Sequence, residues 1–225
     1  MLKIKLYLTL FQPKIFMERV FNSLKQNSFL NGVKMLDVTE EKKKILKKYE
    51  EDVKFLGSIR VGTYEEAKKW VGKKGETYFV EEPVDISRIR FYCEMLEEDN
   101  PSYWDESYAK KQWGGLICPP GLMLSLTLPS VWRPKEKSKP KFLALEIPLP
   151  AETFINVETE TEFFQPVYVG DYLNYQDEII EITEEKKTHL GSGYFITILR
   201  TIRNHKGEIV AKIKNVTFRF RVEEK

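Results

Sequence analysis

The stretch Glu98-Asp99-Asn100-Pro101-Ser102-Tyr103-Trp104, followed by Trp113-Gly114-Gly115-Leu116-Ile117-Cys118-Pro119-Pro120-Gly121, decides how the rest of this 225-residue chain is read. Upstream of it, Ile86, Ile89, Tyr92, Cys93 and Leu96 recur at helical spacing behind a cap at Asp85 or Ser87. Asn100-Pro101 then forces a turn, because a proline ring pushes the preceding residue out of helical conformation. Ser102 to Lys111 predicts a further helical turn, and Gly114-Gly115 and Pro119-Pro120 bracket a rigid loop ending at Gly121. From there Gly121-Leu122-Met123-Leu124-Ser125-Leu126-Thr127-Leu128 is apolar nearly all round, the pattern of a helix buried on most faces.

Working outward, Thr77 to Val80 reads as a strand that Pro83 ends. Beyond Pro129, Arg133, Lys135, Lys137, Lys139 and Lys141 mark a basic, proline-containing loop. It reads as a solvated loop, or as a contact for phosphates or an acidic partner. The remainder is strand-like: Ile155 to Phe164, Tyr172 to Glu184, Gly193 to Asn204 and Ile209 to Val222, with turn signals at Val169-Gly170-Asp171 and Asn204-His205-Lys206-Gly207. One strand, one long buried helix and then several long antiparallel strands make an α+β order, with the sheet wrapped around the helix.

On the N-terminal side, Thr39 opens a helical pattern through Ile45, Leu46, Tyr49, Val53 and Leu56, stopped by Gly57. A second short helix is expected at Tyr64 to Val71, closed by Gly72. Met1 to Met35 has Glu18 as its sole carboxylate, and its apolar run Leu6 to Phe11 is too short to span a bilayer. It reads as an accessory segment, or as sequence upstream of a start near Met35, in preference to a signal peptide or a membrane-surface anchor. The expected organisation is a poorly defined segment at 1–35, a helical lead-in at 36–75, and a main domain at 76–225 onto which the lead-in packs.

Composition bounds the function. A hydrophobic content of 42% supports a packed core, and a formal charge of +2 gives no electrostatic reason to invoke nucleic acid. Lys and Glu number 27 each, against 9 Arg, 7 Asp and 5 Gln, a bias toward a heat-adapted source. Cys93 and Cys118 form no CxxC pair or metal-ligand pattern, so no metal site is expected and a reduced, cytoplasmic location is the default.

The opening motif resembles the signature of the MaoC-like hot-dog dehydratases and hydratases, which reads roughly Asp-x-Asn-Pro-aliphatic-His. Glu98 stands in the Asp position and Tyr103 in the His position. The resemblance runs from about Glu76 to Arg221 and includes Glu162-Phe163-Phe164-Gln165-Pro166-Val167-Tyr168-Val169-Gly170-Asp171 and Thr201-Ile202-Arg203-Asn204-His205-Lys206-Gly207-Glu208-Ile209-Val210. The tyrosine is similar to the FAS1-like dehydratase, or MaoC N-terminal, branch. That branch implies a non-catalytic half whose partner supplies Asp and His. It implies a single hot-dog fold, dimerisation with another hot-dog subunit, an acyl-CoA or acyl-carrier-protein thioester as substrate, and no further cofactor.

Such chemistry needs a carboxylate and an imidazole holding one water, and a backbone N–H polarising the thioester carbonyl. Glu98 and Tyr103 occupy the catalytic places; Asn100, Trp104, Pro120 and Gly121 are the candidate substrate-binding residues. Tyrosine's reference pKa lies roughly 3.5 units above histidine's, about 5 kcal/mol of proton-transfer matching. Tyr103 therefore reads better as a packed aromatic lining an acyl pocket and Glu98 as a solvated acid at a helix end, while Gly121 reads equally as a carbonyl cradle or a turn glycine. His189 and His205 fall in turn signals and read as exposed. Three functions remain: the degenerate subunit of an (R)-specific enoyl-thioester hydratase or 3-hydroxyacyl dehydratase, a self-sufficient hydratase using Glu98, and a hot-dog thioesterase. The last is disfavoured because Gly121 to Val131 contains no acid. A non-enzymatic acyl-binding module is the limiting case of the first.

Overall fold

The computed structural model describes residues 3–6, 59–128 and 142–221. The expected helix within 39–57 and the basic loop at 133–141 lie outside them. Four long strands, β3 (Thr153–Phe163), β4 (Asn174–Ile182), β6 (Gly191–Arg203) and β7 (Ile209–Arg221), form an antiparallel sheet. With β1 (Lys3–Leu6), β2 (Tyr78–Phe79) and β5 (Lys186–Thr188), the order is β1-β3-β7-β6-β4-β2, and β5 pairs with β6. β1 lies in the segment expected to be poorly defined and pairs with Thr159–Glu162 of β3.

Strand alternation sorts the side chains. Tyr194, Ile196, Ile198, Arg200 and Ile202 of β6 share one face, opposite Arg219, Thr217, Asn215, Ile213 and Ala211 of β7. That inner face carries two separate cores. At one end Ile202, Ala211, Ile213 and Tyr175 pack beneath the Ile86–Leu96 helix, Tyr103, Cys118 and the apolar helix. At the other end Ile179, Ile182, Tyr194 and Ile196 pack beneath Ala67, Ile147 and Leu149. Ala67 belongs to the Tyr64–Lys68 helix, which a reciprocal box between Thr63 and Glu66 caps. Tyr64 and Trp70 pack beside Ala67 against the same core.

The central helix is a correction to the expected long one. It is a 3-10 turn, Pro120–Leu122, followed by the single α-turn Met123–Leu126. The Thr127 hydroxyl donates to the carbonyls of Met123 (3.1 Å) and Leu124 (3.3 Å), and the following sequence reaches Pro129, so both side chain and backbone oppose a further turn. Burial on most faces holds, with Leu122, Met123 and Leu126 all buried. A helix at Leu143–Glu146 and strand β5 have no counterpart among the elements expected from the sequence.

The chain above each core forms its cover, and the second cover is fastened at Ala144 to Ala151 by one cation. Arg219 is fully buried and donates to the carbonyls of Ala144, Ile147, Leu149, Ala151 and Arg60. No carboxylate is among these acceptors. Burial pulls its pKa down to about 10, and the ring of carbonyl dipoles keeps it a cation at neutral pH.

Candidate functional site

The motif turn is built by local bonds. Asp85 accepts from the Ser87 N–H to start the Ile86–Leu96 helix, and Glu97 ends it in the left-handed region at φ 53°. The Asn100 side chain accepts from the Ser102 N–H at 3.0 Å, starting the Pro101–Trp104 helix with proline in its first turn. Asp105 does the same for Glu106–Trp113, accepting from Ser107 and Tyr108, and Gly114 ends it at φ 89°.

The structure brings Glu98 and Tyr103 to one turn but into different surroundings. Glu98 is exposed; its carboxylate accepts from the Asn100 N–H at 3.1 Å, and its carbonyl accepts from the Trp104 indole at 2.8 Å. Tyr103 is buried in the first core. Burial pushes its phenol above the usual value, and the Glu98 charge and neighbouring Cys93 add to this. At neutral pH the phenolate is then under about one part in a thousand, too little for a base. Glu98 holds a turn, Trp104 braces it, and Asn100 caps a helix. Glu94, Glu97, Glu98, Asp99 and Asp105 border an open cleft of about 500 Å³ beside Trp104.

Pro120 and Gly121 open the central helix, as expected. A residue the sequence did not single out for chemistry, Tyr92, lies over Gly121: a Cβ there would stand 2.1 Å from the Tyr92 hydroxyl oxygen and 3.2 Å from its ring. The glycine is needed for this approach. Burial raises the Tyr92 phenol, followed by Cys93, Cys118 and Glu98. Cys118 is pushed to about 12 by burial and then by Cys93, so both cysteines are buried neutral thiols.

His189 sits exposed in a turn, and His205 pairs through Nδ1 with Asp171 at 3.3 Å. Among the described residues no group of three His, Cys, Asp or Glu side chains gathers in metal-binding geometry. No described helix is long and apolar enough to cross a membrane.

Between the two covers, where the central helix stops, the inner face is hollow. A cavity of about 360 Å³ is bounded by Leu124 and Leu128 on one side and Phe142, Leu143 and Leu145 on the other. Its floor comes from β3, β7, β6 and β4 and includes Phe154, Asn156, Ile198, Arg200 and Ile213. The volume lies within the range of small-molecule sites. Arg200 forms a two-pronged bond to Asp177 (2.8 and 2.9 Å), donates to the Thr127 carbonyl at 2.7 Å and stacks 3.8 Å over the Tyr175 ring. Burial works against its charge but is outweighed by Asp177, so its pKa is raised. Arg200 thus fixes the end of the short helix to the sheet. Periodicity does not reveal this pair, because charged residues on a strand read as outward-facing.

A sheet folded over a buried helix that opens at Pro120-Gly121, with the Asn-Pro turn packed beside it, defines the MaoC-like hot-dog dehydratase class. Residues 69–213 match the family model described as FAS1-like, dehydratase domain region, and the chain belongs to that family. It is 32% identical over 159 residues to a probable enoyl-CoA hydratase alpha subunit of Thermomonospora curvata, a match covering 68% of this chain and 50% of the relative. The chain therefore spans about half the length of that curated relative. Among solved structures, the ChsH1-ChsH2 complex from Mycobacterium tuberculosis aligns with a TM-score of 0.56 at 18% identity, covering 72% of this chain and 90% of that one. A MaoC-like dehydratase aligns at 0.50 and 20% identity, covering 68% and 43%. Likeness at these identities speaks for the fold.

Proposed function

We propose that this chain is the acyl-pocket-forming, catalytically degenerate subunit of an (R)-specific enoyl-thioester hydratase or 3-hydroxyacyl-thioester dehydratase. A second hot-dog subunit supplies the carboxylate and imidazole. The observation that carries the reading is the contrast between an occupied motif turn and the cavity of about 360 Å³ beside the same helix. At the turn, Tyr103 is buried and neutral, Glu98 is committed to backbone, and Tyr92 covers Gly121 where a thioester carbonyl would approach. The five carboxylates of the adjoining cleft would repel the phosphates of coenzyme A. At the cavity, apolar walls can take an acyl chain.

Three further facts support a two-subunit enzyme. The Thermomonospora relative is called an alpha subunit, and ChsH1-ChsH2 is a complex of two proteins. Phe91, Met95 and Leu96 of the first cover are about three-fifths exposed, an apolar surface suited to a partner. In the assembled enzyme the partner's carboxylate and imidazole hold the water that adds to, or leaves, the acyl β-carbon. This chain orients the acyl group and excludes bulk water; no cofactor beyond the thioester is required. Two buried free thiols fit a cytoplasmic setting.

The test is crotonyl-CoA hydration. The purified chain alone should be inactive, and activity should appear on adding a hot-dog subunit with an intact Asp and His. Glu98→Gln should leave that activity within about twofold, since the residue bonds only to its own turn. Robust hydration by the chain alone, abolished by Glu98→Gln, would overturn the proposal in favour of a self-sufficient hydratase.

A further inference from the structure

We infer that this chain's own segment 39–57, outside the described residues, packs across the outer face of the sheet over Phe195, Phe218 and Phe220. An antiparallel sheet packed on one side leaves its other face to water, and polar residues are expected there. One half of the outer face follows that rule. Glu160 and Glu162 of β3 lie opposite Lys214 and Lys212 of β7, and Lys214 pairs with Glu160 at 3.9 Å.

The other half breaks it. A β-bulge between Asn156 and Glu158 sets the parity of β3, so that Ile155 lies opposite Phe218 and Glu158 opposite Val216, all on the outer face. Across β7, Phe195 of β6 lies opposite Phe218 and Thr197 opposite Val216. The Phe195 and Phe218 rings stack at 4.5 Å, and the Phe218 and Phe220 rings at 5.1 Å. Side chains stand upright on a sheet, so rings with no layer above them keep their tips in water. Yet Phe218 and Phe220 are each only 1% exposed. Neither belongs to the two inner cores, and Arg219 between them turns to the inner face. They are buried within a single chain, so the chain itself supplies the layer.

Three features assign that layer to 39–57. Ile45, Leu46, Tyr49, Val53 and Leu56 form one helical stripe with lysines and acids on the other side, a pattern that calls for an apolar surface to rest on. That stripe is about 17 Å long, and a helix about 10 Å across suits a patch of three strands spaced about 4.8 Å apart. The chain also arrives in the right place. Arg60 follows Gly57 by three residues, and its carbonyl accepts from the Arg219 guanidinium at 3.1 Å. Three extended residues reach about 10 Å, enough to round the end of the sheet from one face to the other. With this half of the face taken, a partner subunit must approach elsewhere.

The test places the photo-reactive residue p-benzoylphenylalanine at Tyr49 of the full chain and irradiates an equal mixture of unlabelled and heavy-isotope-labelled chains. Mass spectrometry should find the peptide around position 49 joined to 191–203 or 209–221, both halves carrying the same isotope. Links only to 86–113 or 143–151, or no link, overturn the inference. Mixed-isotope links overturn it too, and assign the face to a second copy. Hydrogen exchange gives an independent reading. Leu46→Asn should speed exchange at 216–220 by roughly tenfold relative to 143–151, whereas Lys47→Asn, on the far side of the stripe, should change neither. Unchanged exchange at 216–220 in Leu46→Asn also overturns the inference.

Discussion

The two covers of the inner face are closed by different physics. Over the first, Ile89, Tyr103, Leu122, Met123 and their neighbours form a continuous apolar packing beneath the family's motif. Over the second, the chain from Ala144 to Ala151 is tied down by the guanidinium of Arg219. Apolar packing is spread over many contacts, so no one side chain decides it. A cation bound to carbonyls concentrates the hold in one residue. The difference teaches that the second cover, which also walls the cavity through Ala144 and Leu145, is the more vulnerable of the two.

Substitutions should expose this asymmetry. Arg219→Met should have the largest effect, a loss of about 5 kcal/mol at roughly 1 kcal/mol for each abandoned carbonyl, read by chemical denaturation. Hydrogen exchange should place the damage in 143–151 before the motif turn. Equal loosening of both covers would break the comparison. Arg200→Met comes next, about 3–4 kcal/mol, because it strands a mostly buried Asp177; Arg200→Met with Asp177→Leu should recover much of that loss. Gly121→Ala, inside the first cover, should cost about 1–3 kcal/mol through collision with the Tyr92 hydroxyl. Adding Tyr92→Phe should recover part of it, and additive penalties would show that the two residues do not press on each other. Acid should do least. Backbone and side-chain bonds from Thr63 hold Glu66 below its usual 4.5, and bonds from Ser87 hold Asp85 below 3.8. These depressed carboxyls contribute stability that is present above those values and lost as pH falls through the folded-state ones. One sits at each cover, so circular dichroism across that window should show a small, matched loss of helix.

Local sequence signals reach the first cover and, of the second, only the Tyr64–Lys68 helix. Asn100-Pro101, the Asp85 cap and the apolar run from Gly121 are such signals, and each of those elements appears where its residues place it. The long strands are legible for the same reason, to within two residues at each end. Arg219 is not, because Phe218-Arg219-Phe220 alternates, which sends the arginine outward by pattern, whereas all three side chains are buried. Arg200 and Asp177 escape detection in the same way. The central helix is shorter than its apolar run because apolar content reports burial and not length; Thr127 and Pro129 carry the stop signal. Strand β5 gives no signal because Lys186-Lys187-Thr188 lacks an apolar face.

At Val157 the bulge decides which half of β3 looks inward, since one extra residue reverses the alternation. Pairing Val157 with Thr217 in regular register, with the downstream ladder kept, would turn Phe154 and Asn156 outward and bring Ile155 in, with no side-chain replacement. A one-residue slip at the bulge would therefore exchange the polar floor of the cavity at Asn156 for an apolar one without replacing any lining residue.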